Sequence, residues 1–328
     1  MSTRTSRRSF VKSSVLGSAG LAVTLAQQAS AADAPSKSAT PPTPAVLDTL
    51  PTGRIGKLEI SRLLLGGNLL THYTHSRDLR YVYNLAKRYN TREKIFETMA
   101  VAEAHGVNAL VIHTADGILD LLKEYRAKRG GKMKYIVCPT APIEIGLSEY
   151  SAQVARMVDD GIDAIYLWGV RSDALVTEGK MDLLAQAVEI PRAKGVPSGV
   201  GAHRLAVVQA CEQSQVNAGF YIKTFHHHNY PTGPKPEQVH DDYNEFPGYW
   251  CGKPAETIEL MKKVGKPWIA FKVMAAGAIP PESAFRYAIE GGADFVLAGM
   301  FDFEIAEDVK IMKSILSSNP KRDRAWTA

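Results

Sequence analysis

Phe220-Tyr-Ile-Lys-Thr-Phe-His-His-His-Asn-Tyr230 reads as a short apolar strand that runs straight into a knot of basic and aromatic groups. Lys223 falls at the strand end and His226, His227 and His228 follow at once. A long Pro/Gly/aromatic loop comes next. The pattern of a short apolar run followed by a helical stretch recurs on both sides of this segment. The other strand-like runs are 62–66, 108–113, 134–138, 163–168, 196–201, 268–273 and 293–298. Helical periodicity lies between them, at 91–105, 118–129, 147–160, 181–194, 205–214, 255–264, 282–290 and 305–316, and several of these stretches are closed by glycine. Apolar strands alternating with helices mean βαβ units and a parallel sheet. Eight such units predict an α/β fold of the (β/α)8 TIM-barrel type. The alternative is an open doubly wound sheet. It calls for a Gly-x-Gly-x-x-Gly turn after the first strand, and Gly66-Gly67-Asn68 does not have that spacing.

The N-terminus carries Ser6-Arg-Arg-Ser-Phe-Val-Lys12, a mild apolar run from Val15 to Leu25, and Ala29-Ser30-Ala31. A charged segment, an apolar segment and an A-x-A site make a secretion signal. The paired arginines resemble a twin-arginine signal, read by the twin-arginine translocase and used by proteins that fold before export. The expected organisation is a signal peptide over 1–31, a flexible Pro/Ser/Thr/Ala-rich linker over 32–52, and a barrel over 53–328, in a periplasmic or otherwise exported protein. Loss of the first 31 residues leaves 35 basic and 34 acidic side chains, so the basic character of the whole chain is largely a leader effect. Neither nucleic acid nor stable membrane insertion is expected, and the partner is a small-molecule substrate. Three cysteines form no disulfide framework. Cys138 and Cys211 read as packed residues.

Two connections are too long to be plain links: about 67–90 and about 225–254. Each follows a strand, and so lies on the barrel face where sites are built. Their aromatic residues Tyr73, Tyr83, Tyr243 and Trp250 are suited to stack on sugar faces. At the strand ends stand His113, His203, Lys223 with His226, and Lys272. These are the candidate catalytic groups, because an imidazole works as acid or base and a crowded lysine can lose its proton near neutral pH. Both lysines alternate with apolar neighbours, and a lumen-facing position is expected for each. His203, His226, His228 and Asp302 could assemble a divalent metal site. Gly277, after strand seven, and Gly299, after strand eight, are candidates for a phosphate cradle.

Three passages resemble the aldo-keto reductase barrel: Glu103-Ala-His-Gly-Val-Asn-Ala-Leu-Val-Ile-His-Thr-Ala115, Gly161-Ile-Asp-Ala-Ile-Tyr-Leu167 and Arg192-Ala-Lys-Gly-Val-Pro-Ser-Gly-Val-Gly-Ala-His203. The resemblance covers about half of the mature chain. It implies the barrel fold and a nicotinamide site with NADP as cofactor. It also implies an aspartate, a tyrosine, a lysine and a histidine around that site. In this chain those positions fall at His113, at Ile118, in the Cys138-Pro139-Thr140 region and at or near Trp168. All four are changed. The expected activity is therefore acid/base isomerisation or elimination on a small polar carbonyl or sugar-like substrate, with metal assistance as an option. A divergent NADP-dependent oxidoreductase and a non-catalytic carbohydrate-binding barrel are the alternatives.

Overall fold

A computed structural model describes residues 47, 49–143, 146–246 and 248–328. The proposed signal peptide and most of the proposed linker lie outside the described residues. Eight parallel strands close into a barrel: β3 (Leu63–Gly66), β4 (Ala109–His113), β5 (Lys134–Cys138), β6 (Ala164–Leu167), β7 (Ser198–Ala202), β8 (Phe220–Thr224), β9 (Trp268–Phe271) and β10 (Phe295–Ala298). The ring shuts where β10 pairs with β3, Val296 opposite Leu63 and Ala298 opposite Leu65. All eight strands expected from the sequence are present and the open-sheet alternative is excluded. Strands β3, β7, β8 and β10 are buried along their whole length, as parallel strands with helices outside and side chains inside must be.

Two elements precede the barrel. Strands β1 (Thr52–Ile55) and β2 (Leu58–Ser61) form an antiparallel hairpin. Its Ile55, Leu58 and Ile60 pack with the lumen residues Leu64, Ile136, Phe220, Ile269 and Phe295, so the hairpin stoppers the N-terminal end of the barrel. Contact begins even earlier in the chain: Leu50 is buried and the Leu47 amide donates to the Ala104 carbonyl. The lumen is filled to contact. A methyl group on Gly199 would lie 2.5 Å from the Phe220 ring, which explains a glycine in the middle of β7.

The helices follow in order: α1 (Tyr81–Tyr89), α2 (Arg92–Ala104), α3 (Ile118–Arg129), α4 (Ser148–Asp159), α5 (Gly169–Thr177), α6 (Met181–Ala193), α7 (Leu205–Gln213), α8 (Pro254–Met261), α9 (Pro281–Glu290) and α10 (Ile305–Ser317). Helices α1 and α5 are additions to the sequence reading. The first lies inside the first long connection. The second follows β6 directly and is too short and mixed in polarity to show a clean apolar period. No described helix is long and apolar enough to cross a membrane.

The two long connections meet over the C-terminal mouth. Arg77 donates to the carbonyls of Gly248 (2.7 Å) and Thr232 (3.2 Å) and lies over the Tyr230 ring. His75 Nδ1 sits 3.1 Å from Glu245 Oε1. Each lid therefore braces the other.

Candidate active site

The mouth holds two cavities that share Asn68, His75, Tyr166, Phe271 and Lys272. The smaller, about 230 Å³, is lined also by Tyr73, His113, Trp168, His203, Tyr243 and Glu245. The larger, about 460 Å³, runs past Gly277 and Gly299 to Glu304 and Asp308 on and just before α10.

His203 follows β7 and is held by Asp173 of α5. Asp173 Oδ2 lies 2.8 Å from His203 Nδ1, and Oδ1 accepts the backbone amides of His203 (3.2 Å) and Arg204 (3.0 Å). A carboxylate that already accepts two amides is an acceptor only. Nδ1 therefore carries the ring proton, and Nε2 keeps its lone pair. Burial lowers the His203 pKa, and the Asp173 hydrogen bond opposes that shift in part. Gly169, the first residue of α5, makes room for the ring: a Cβ there would lie 3.1 Å from His203 Cε1. Tyr243 of the second lid covers the imidazole at 4.9 Å between ring centroids.

Lys272 is the first residue past β9. It takes a left-handed φ of 54°, which ends the strand two residues earlier than the sequence pattern suggests. Ala275 and Ala276 share this unusual backbone region, so the whole turn is held by its surroundings rather than by residue preference. The ammonium lies over Trp250 (5.3 Å) and Phe271 (5.6 Å). It has no hydrogen-bond or ion-pair partner among the described residues. Burial brings its pKa down to about 7, against the raising effect of Glu245 and Asp173. His75 is pushed down to about 3 by burial and by the charges of Lys272 and His203, so it is neutral beside Glu245. His113, lowered by burial, stacks parallel to Trp168 and meets the edge of Tyr73. Asp116, three residues further along the chain, is exposed.

Several sequence expectations are corrected by position. Lys223 does not face the lumen. Its neighbour Ile222 does, and strand alternation turns Lys223 toward the helices. There it is 1% exposed and donates to the Thr224 carbonyl (2.8 Å) and hydroxyl (3.1 Å). The proposed metal donors do not converge. His226 uses both ring nitrogens, Nδ1 donating to the His227 carbonyl and Nε2 accepting the Trp250 amide. That closed arrangement also removes it as an acid or base, and burial lowers its pKa to about 3. His228 Nε2 donates to the Cys251 carbonyl. Asp302 is bound to Tyr89 (2.6 Å) and Lys94 (3.1 Å). Among the described residues, no group of three or more His, Cys, Asp or Glu is placed to share a metal ion.

Of the aromatic residues, Tyr73 and Tyr243 line the smaller cavity and Trp250 the larger, while Tyr83 lies on α1 and lines neither. Gly277 and Gly299 both border the larger cavity. That cavity does not suit the phosphates of a dinucleotide. Lys272 is its one lining cation among the described residues, Glu304 and Asp308 are carboxyls, and Glu304 Oε2 already takes the Phe301 amide before α10. Cys138 is fully buried and its thiol is pushed up to about 12, which leaves it a packed residue.

Asp173, His75, Glu245 and Tyr166 had no signature in the sequence reading as members of one site. Parity along β6 was the one available signal for Tyr166. Asp173 lies in the unrecognised helix α5, and Glu245 acquires meaning only once the two lids touch.

The class defined by this architecture is the (β/α)8 barrel with a site at the C-terminal mouth. Among solved structures, the chain is similar to an aldo-keto reductase from Bacillus halodurans (12% identity, 84% of this chain and 98% of that one, TM-score 0.50). It also aligns with an N-acetylneuraminic acid synthetase from Leptospira borgpetersenii serovar Hardjo-bovis (10% identity, 83% and 91% covered, TM-score 0.45). These likenesses concern the fold alone. No family model matches the chain, and no match was found among curated protein sequences.

Proposed function

We propose that this chain is a barrel enzyme that moves a proton on a small polar carbonyl or sugar-like substrate, in an isomerisation or elimination. The observation that carries this reading is the Asp173-oriented His203 facing the same cavity as Lys272, which has no partner among the described residues. His203 Nε2 takes the proton from the carbon next to the carbonyl. The electron pair moves to the carbonyl oxygen, and the Lys272 ammonium faces that oxygen. In an isomerisation His203 then gives the proton to the former carbonyl carbon while the adjacent hydroxyl's proton passes to the enolate oxygen; in an elimination it gives the proton to a departing hydroxyl. Tyr73, Tyr243 and Trp168 form the aromatic wall against which such a substrate stacks, and His113 lies within that wall.

We also infer export by the twin-arginine route into the periplasm or beyond, on the strength of Ser6 to Ala31. The changed tetrad and the acidic end of the larger cavity favour proton transfer over the NADP-dependent reading.

The test is proton exchange. The full chain is incubated in D2O with a panel of aldoses, ketoses and hydroxy acids, and deuterium at carbon is followed by NMR. The expected result is incorporation or conversion for at least one compound, lowered ~100-fold or more in His203→Gln. Saturable binding with neither exchange nor conversion would shift the reading to a carbohydrate-binding barrel.

A further inference from the structure

The larger cavity contains a feature that proton transfer does not use. Asp308, on α10, lines this cavity and is 5% exposed, and no described residue donates a hydrogen bond to its carboxyl. Buried polar groups without partners are few in folded proteins and call for an explanation. Two residues of the same wall also hold unpartnered atoms, Thr74 Oγ1 and Trp250 Nε1. The wall between them is apolar, including Leu79, Val82 and Ile279. A volume of about 460 Å³ falls in the range of small-molecule sites.

The charges near Asp308 define what can enter. Those acting on it are the carboxylates of Glu304 and Glu307, both negative. On the neighbouring α2, Lys94 is engaged with Asp302 and Glu97. On α9, Arg286 faces Glu282 and Glu290. Lys272, where the two cavities join, is not among the charges felt at Asp308. An anion at the Asp308 end would meet two carboxyls, with Lys272, the one lining cation among the described residues, standing away at the junction of the two cavities.

We propose that this cavity is a binding site for a compact ligand with an apolar body and a protonated amine, the amine received by Asp308 with Glu304 beside it. The site holds independently of whether the smaller cavity performs proton transfer. The Asp308 carboxyl is pushed up to about 7 by burial first and by Glu304 and Glu307 next. An ammonium group bound against it favours the ionised form, so binding releases a proton. Affinity therefore rises as pH passes upward through about 7. It falls again only when the free amine loses its own proton, near ~10 for an alkylamine.

Calorimetric titration of the full chain with 2-phenylethylamine, 2-phenylethanol and 2-phenylethyl phosphate tests this. The expected result is that the amine binds ~10-fold or more tightly than the alcohol, which is the ratio a single charge-assisted hydrogen bond supplies. The phosphate ester is expected not to bind, and amine affinity should rise from one pH unit below to one above the Asp308 midpoint. Asp308→Asn is expected to abolish both the preference and the pH slope. Equal affinity for amine and alcohol, tighter binding of the phosphate ester, or no binding of any of the three overturns the proposal. So does an unchanged preference in Asp308→Asn. The comparison of the three probes on the parent chain decides the matter even if that variant fails to fold. Loss of exchange activity in His203→Gln with amine binding intact would separate this site from the proton-transfer reading.

Discussion

Asp173 grips His203 at two places, the ring through Nδ1 at 2.8 Å and the backbone through the amide at 3.2 Å. One carboxylate thus sets both where the imidazole stands and which nitrogen carries the proton. The pair bridges α5 and the end of β7, so it also fastens the helix to the barrel rim.

Asp173→Asn is expected to keep the fold and lower turnover by ~100-fold or more, because the amide no longer fixes the tautomer. It also removes a charge that raises the His203 pKa, so that pKa should fall further. Imidazole resonances followed by NMR across a pH titration check the sign. An upward or unchanged His203 midpoint in Asp173→Asn would remove Asp173 from its orienting role.

Lys272 gives a pH dependence of both activity and stability. With the folded pKa near 7, the ammonium is lost as pH rises through that value, and a step that needs the cation declines there. For stability, the native pKa lies below the ordinary 10.5, so between about 7 and 10.5 the unfolded chain binds the proton that the native chain has released. Stability from this group therefore rises with pH across that window. Lys272→Met is expected to abolish activity and flatten this part of the profile. Urea melts of both proteins at several pH values test it, and parallel profiles would count against a depressed Lys272.

Lys223 makes the opposite prediction. It is buried to 1% exposure, and among the described residues its ammonium meets only the Thr224 carbonyl and hydroxyl. Lys223→Met keeps the stem and removes the buried charge. It should leave turnover unchanged and raise stability by about 1 kcal/mol. A large loss of activity without loss of fold would mean that Lys223 reaches the cavity after all.

Asp294 anchors the C-terminus to the bottom of the barrel. Fully buried, it accepts from Arg324 (2.7 Å), the Trp268 amide (2.9 Å) and the Thr327 hydroxyl (2.8 Å). Asp294→Ala leaves the buried Arg324 guanidinium without its carboxylate, and a cost of about 3–5 kcal/mol is expected. The urea midpoint measures it. A shift corresponding to less than ~1 kcal/mol would show that the carbonyls around Arg324 suffice alone.

The order of strands and their number were legible in the chain because each barrel strand is a short apolar run set between helical stretches, several of them closed by glycine. Periodicity of this kind is local, and burial on both faces writes it into consecutive residues. Lys272 was legible too, as a lysine at the end of a strand. Lys223 was not, because a one-residue change in parity turns a side chain from the lumen to the helices, and composition does not reveal which face is which. The histidine triplet drew attention as a site, yet the fold uses His226 to hold the second lid through the Trp250 amide.

The sequence by itself determined the barrel, the face on which the lids stand and the residue types at the strand ends. Tertiary structure alone decided which of those groups share a cavity. Asp173 and His203 are 30 residues apart, and Asp308 reaches the larger cavity from the last helix of the barrel. Closing a ring brings residues from distant strands and helices to one mouth, and nothing in the local pattern of any strand records its neighbours across that opening.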